Sequence, residues 1–97
     1  MNAAEEGRPA FCIYINTFCQ GPVPIERNET DFPVVYSTLI EAQREIVEYT
    51  IERLQQFLAG QRDFDDAITI EEYIVEVDVF SDGSILDESG RWFGSDW

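Results

Sequence analysis

Residues Leu39 to Ala59, LIEAQREIVEYTIERLQQFLA, constrain the fold more than any other stretch. Their apolar side chains recur with a helical period. Projected at about 100° per residue, Leu39, Ile40, Ile46, Val47, Thr50, Ile51, Leu54, Phe57 and Leu58 fall in one broad arc. Both ends are marked. Thr38 followed by Glu41 fits a capping box, in which the hydroxyl accepts from a first-turn N–H and the carboxylate reaches back. Gly60 stands where a left-handed residue closes a helix. At about 1.5 Å per residue the helix is roughly 30 Å long, enough to cross a small sheet.

The flanking segments read as strands and turns. Residues 1–8 are polar and end near Gly7 and Pro9, which predicts a loose tail ahead of a single domain over 9–97. Ala10 to Phe18, AFCIYINTF, is aromatic and β-branched, a strand pattern. Phe11, Ile13, Ile15 and Thr17 share one face; Cys12, Tyr14, Asn16 and Phe18 share the other. Both faces are largely apolar, so this strand is expected at the centre of the sheet. A short strand over 23–27 would be held to an edge by Pro24. Asn28 to Asp31 reads as a turn and Phe32 to Tyr36 as an extended lead into the helix. After the acidic connection Gln61 to Glu72, in which a helical turn is one option, Tyr73 to Phe80 alternates: Tyr73, Val75, Val77 and Val79 against Ile74, Glu76, Asp78 and Phe80. Ser81-Asp82-Gly83-Ser84 predicts a type I′ hairpin turn. Ile85-Leu86 begins the return, Glu88-Ser89-Gly90 turns again, and Arg91-Trp92-Phe93 is a candidate third strand of this half. The expected fold is α+β: a small antiparallel sheet of three to five strands in the order β(β)αββ, with the long amphipathic helix packed on one face.

Charge is the outlying property. Among 97 residues there are twenty acids and six bases, all arginine, for a net charge of −14. Residues 1–40 carry five acids against two arginines, leaving −3; residues 41–97 carry fifteen against four, leaving −11. Such a balance argues against direct binding to nucleic acid or to an anionic membrane, both of which require cationic side chains. No apolar run approaches the ~18 residues of a membrane span. MNAAEEGRPA has neither the basic nor the apolar region of a signal peptide, so a cytoplasmic location is expected. Cys12 and Cys19 are then expected as free thiols; a disulfide between them is the alternative.

The chain has no histidine and no lysine. That excludes Ser–His and Cys–His dyads and lysine nucleophiles built from this chain alone. Two cysteines are too few for a Cys/His zinc site, and no glycine-rich phosphate loop is present. Asp63-Phe64-Asp65-Asp66 begins like a calcium loop, but Ile68 occupies the glycine position and Ile74 the final glutamate position. No pair among twenty acids is singled out for acid–base chemistry. The expectation is a non-enzymatic protein with no metal and no cofactor.

Glu41, Glu45, Glu48 and Glu52 are spaced by four, three and four residues and project within about 60° of one another. Two readings of this line stand side by side: a solvated helix face, or a docking face for an Arg/Lys-rich partner. Arg44 lies beside it and can pair with Glu41 or Glu48. The second acidic cluster, Asp63, Asp65, Asp66, Glu71 and Glu72, and the outward positions Glu76 and Asp78 on the later strand, extend the same sign. Together they would make a broad negative field that imitates the phosphates of a duplex and steers a cationic partner.

Phe11, Phe32, Phe57 and Tyr73 are most simply core. Tyr14, Tyr36, Phe64, Phe80, Trp92, Phe93 and Trp97 are too many to bury in one small domain. Trp92 or Trp97 is therefore a candidate interface residue, and exposed aromatics offer a homodimer seam. In size and charge the chain resembles small phage-encoded inhibitors of host defence such as anti-CRISPR proteins, and DNA mimics as a class. The functional expectation is an acidic inhibitor that binds the basic surface of a larger, nucleic-acid-binding protein or complex. The alternatives are an antitoxin or immunity protein for a basic nuclease, and an acidic structural or adaptor domain.

Overall fold

A computed structural model describes residues 7–95. In chain order the elements are β1 (Arg8–Thr17), β2 (Gly21–Pro24), α1 (Leu39–Leu58), α2 (Phe64–Ile68), β3 (Tyr73–Val79), β4 (Ile85–Asp87) and β5 (Trp92–Phe93). The five strands form one antiparallel sheet in the order β2-β1-β3-β4-β5. The fold is α+β, with one long helix. β1 lies inside the sheet and begins at Arg8, two residues before the expected start. Pro24 sits in β2 at the sheet edge, where its missing N–H costs no ladder bond. Phe11 pairs with Tyr36 beyond the end of β2, so the lead into α1 prolongs that edge.

The sheet curls. In a flat sheet three strand spacings, about 14 Å, would separate β1 from β5. Here the rings of Tyr14 on β1 and Phe93 on β5 meet edge-on at 5.9 Å. Arg91, in the turn between β4 and β5, donates to the carbonyls of Gln20 in the β1–β2 turn and Pro22 in β2 at 3.1 and 2.6 Å. The concave side buries Ala10, Cys12, Tyr14, Val77, Val79, Ile85 and Phe93 as one cluster. Cross-strand pairs Cys12–Val75 and Ala10–Val77 place those side chains on the same face, as the period-two alternation requires.

The two turns of the C-terminal half share a design that the Asp-Gly signal does not reveal. A type I′ turn needs positive φ at both central residues. Only Gly83 has it, at +97°; Asp82 does not. Gly83 N–H donates to Phe80 O, and Phe80 N–H to Ser84 O, both at 2.9 Å. The Asp82 carboxylate meanwhile accepts from the N–H and hydroxyl of Ser84. That local bond holds Asp82 out of the left-handed region and shifts the closure by one residue. Asp87 to Arg91 repeats the pattern, with Gly90 at +89° and bonds Gly90 N–H to Asp87 O and Asp87 N–H to Arg91 O, each 3.0 Å.

α1 starts and stops where its caps predict. Thr38 Oγ1 accepts from Glu41 N–H at 3.3 Å. The Glu41 carboxylate accepts from the hydroxyls of Thr38 and Ser37 at 2.8 and 2.9 Å. Gly60 closes the helix at φ +77°, donating to Phe57 O at 3.0 Å. α1 lies on the convex side, where Ile15 of β1 shares a groove with Tyr49 and Arg53.

The side of α1 turned inward differs from expectation. Its one fully buried residue is Ala42, and Glu45, Ile46, Tyr49, Arg53 and Gln56 are half-buried around it. Most of the predicted apolar arc is exposed, including Leu39, Ile40, Val47, Ile51, Leu54 and Leu58. Phe57, expected in the core, is 38% exposed and packs instead against Phe64 of α2, ring centroids 5.4 Å apart. The reason lies in the sheet: Tyr14, Ile85 and Phe93 close the concave cluster, while on the opposite face of β1 and β3 only Ile13 is buried, which leaves a narrow strip for the helix. The molecule is correspondingly long, 55 × 29 × 23 Å, with a radius of gyration of 15.2 Å against about 13 Å for a compact chain of this length. Trp97 lies outside the described residues. Among those described, no helix is long and apolar enough to cross a membrane.

Candidate interaction surface

The predicted acidic line on α1 divides. Glu48 and Glu52 are exposed. Glu41 is exposed too, but its carboxylate serves the N-cap, and the Thr38 and Ser37 hydroxyls hold it below the usual carboxylate range. Glu45 turns toward the sheet, half-buried near Glu26 and Tyr36. Arg44 forms no ion pair with Glu41 or Glu48 among the described residues. The inward turn of Glu45 concentrates negative charge locally. Burial, then the Glu45 carboxylate, push the Glu26 carboxyl up from its ordinary value. Burial, followed by Glu45 and Glu26, pushes the Tyr36 hydroxyl up to about 12.

Beyond this point a groove of about 540 Å³ opens between the C-terminal half of α1, the end of β2 and the α2–β3 connection. Glu26, Glu52, Asp66, Glu71 and Glu72 line it, against Arg53 and Arg62. Both arginines are engaged. Arg53 donates to Glu72 at 2.7 Å and to the Thr50 hydroxyl at 3.2 Å. Arg62 pairs with Asp66 and donates to Gln56 at 2.7 Å. Glu26, Glu52 and Glu71 therefore have no lining cation of their own. At the groove wall Tyr49 Oη, Arg53 Nε and Glu72 Oε1 are buried without a hydrogen-bond partner among the described residues. Groups of this kind cost about 1–3 kcal/mol each when left unmatched, and more when charged.

The remaining predicted residues lie elsewhere. Asp63 and Asp66 line a second hollow with Arg62 at the α1–α2 corner, and Asp65 is exposed on α2. Glu76 and Asp78 join Glu88 in a separate groove on the β3–β4 ribbon, which shares no lining residue with the first two. Trp92 is exposed on the edge strand β5 and stacks on Phe80 at 4.7 Å. The fold thus brings Glu52, Asp63 and Asp66 into neighbouring hollows and sets Glu76, Asp78 and Trp92 apart. Sequence reasoning missed Glu26, Tyr49 and the two arginines, whereas Glu71 and Glu72 belong to the acidic cluster it marked. Glu26 precedes the helix by thirteen residues, and no periodicity ties it to Glu52.

The class these features define is a small acidic α+β protein with a partly uncovered helix and an anionic groove beside it. A scan against models of protein families and searches of curated proteins and of solved structures give no match.

Proposed function

We propose that the protein is a non-enzymatic acidic inhibitor that binds the basic, nucleic-acid-binding surface of a larger protein, of the kind seen in DNA mimics and in phage anti-defence proteins such as anti-CRISPRs. The observation that carries this reading is the groove beside α1. Five carboxylates face two guanidiniums there, and both guanidiniums are already paired. A cationic side chain entering from a partner meets Glu26, half-buried, and Glu52 and Glu71, both exposed and open to approach. The overall charge of −14 draws such a partner in from a distance.

The test is to titrate the chain into complexes of basic nucleic-acid-binding proteins with labelled duplex. Release of the duplex at low salt is the expected result. Release weakens as salt shortens the reach of the field, toward ~3 Å at 1 M, and in the Glu52→Arg/Glu71→Arg variant. A chain that leaves every such complex intact at low salt would end the reading.

A further inference from the structure

Of the twelve large apolar residues exposed among those described, ten lie between Leu39 and Ile70, on α1, α2 and the connection to β3. Ile40, Val47, Ile51, Leu54 and Leu58 form one strip along α1. At about 100° per residue the strip centres roughly opposite the inward side chains Ala42, Tyr49 and Arg53, so it points away from the sheet. It is open along its whole length, with Ile40 56% and Leu58 81% exposed. Its reach is about 27 Å at 1.5 Å per residue. α2 lies beside its C-terminal end, where Phe64 packs on Phe57 and is itself exposed. A contiguous apolar surface of this kind marks an interaction site.

The edges of the strip choose the occupant. On one side, about 90–130° from its centre, run Glu41, Glu48 and Glu52, with Arg44 nearer the apolar residues. The other side carries uncharged Gln43 and Thr50. A second copy of the chain would bring another −14 to the interface, and an antiparallel two-fold pairing would set the glutamate edges against each other. A helix with an apolar face and Lys/Arg along its margin meets both halves of the surface. It buries the strip and neutralises the edge, the arrangement by which flanking charges choose a partner in helix pairing.

We infer that the outer face of α1 is the seat for a cationic amphipathic helix of about five turns, carried by the basic partner. The inference rests on the acidic-inhibitor reading for the partner's charge, and adds the partner's secondary structure and the apolar half of the contact.

The probe is a labelled 18-residue Leu/Lys peptide patterned as an amphipathic helix. Its control is the same composition scrambled to remove the helical period. Fluorescence anisotropy with the full chain should show saturable one-to-one binding of the patterned peptide and ~tenfold or weaker binding of the scrambled one. Val47→Ser/Ile51→Ser, at exposed positions, should weaken the patterned peptide ~tenfold, about 1.4 kcal/mol. Glu48→Gln/Glu52→Gln should weaken it and flatten its salt dependence. Equal binding of both peptides, or no effect of the Val47/Ile51 change, overturns the seat and leaves the inhibitor reading standing. A wild-type dimer in sedimentation that the Val47/Ile51 variant converts to monomer overturns it in favour of a second copy. Failure to bind either peptide removes the seat; the inhibitor reading falls separately, on duplex complexes left intact at low salt.

Discussion

The hydroxyl of Tyr14 donates to Oδ2 of Asp87 at 3.0 Å across 73 residues of chain, inside the concave face of the sheet. The bond ties the interior strand β1 to the last residue of β4. Asp87 Oδ1 accepts at the same time from the N–H and hydroxyl of Ser89 and from Arg91 N–H. One carboxylate therefore closes the β4–β5 turn and anchors the curl. Tyr14→Phe keeps the ring against Phe93 and removes only the donor. It should lower stability by about 1.5–3 kcal/mol, the range for a hydrogen bond to a charged group. Chemical denaturation checks this; an unchanged midpoint would remove the bond from the account of the curl.

The same carboxylate makes stability depend on acid. Burial works to raise the Asp87 carboxyl, and the bonds from Ser89, Arg91 and Tyr14 outweigh it, so the group lies below its ordinary value. A depressed folded pKa contributes stability that is complete above the unfolded value, about 3.9. That contribution is lost as pH falls through the folded value. Glu26, raised by burial and Glu45, has the opposite sign and disfavours the fold at neutral pH. Thermal melts across pH 2–7 should show a shallower acid limb for Asp87→Asn, and a higher melting temperature at pH 7 for Glu26→Gln.

The two cysteines should differ in reactivity. Both are free; Cys12 is buried and Cys19 exposed. Burial, followed by the charge of Asp87, pushes the Cys12 thiol up to about 12, and the thiolate is the reactive species. Iodoacetamide at pH 8 should alkylate Cys19 alone in the folded protein and both residues in denaturant, as counted by mass spectrometry. Rapid modification of Cys12 under native conditions would show that the concave core opens.

Gly83 is a position where side-chain volume and backbone conformation act together. Its φ is +97°, and an added Cβ would approach Phe32 Cγ to 3.1 Å. Gly83→Ala should cost at least about 1–2 kcal/mol from the left-handed conformation alone. Gly90→Ala, with the same sign of φ and open space around it, isolates the backbone part. The two variants should therefore differ in denaturation midpoint, with Gly83→Ala the less stable.

Features encoded within a few residues were legible. Thr38, Glu41 and Gly60 mark the helix ends because capping bonds span three or four residues. The alternation at Tyr73–Val79 marks β3 because the strand period is two. The hairpin at Ser81–Ser84 was legible as a turn but not as a turn type, since the bond from Ser84 to Asp82 competes with the I′ geometry. For the candidate site, Glu52 and Asp66 were reachable from charge patterning. Glu26 and Tyr49 were not, because the groove joins segments that share no periodicity.

Sequence alone determined that a long helix forms, where it begins and ends, that its partners are strands, and that the chain is strongly anionic. These follow from local bonding, side-chain period and composition, which need no distant residue. Tertiary structure decided which side of the helix is covered. Periodicity shows that α1 has an apolar arc, but which side is covered depends on where the sheet sends its own side chains. Here the sheet curls around Tyr14 and Phe93 and leaves Ile13 as the one buried side chain on the opposite face of β1 and β3. It meets the helix through Ala42 and its half-buried neighbours and leaves Val47, Ile51 and Leu54 facing outward.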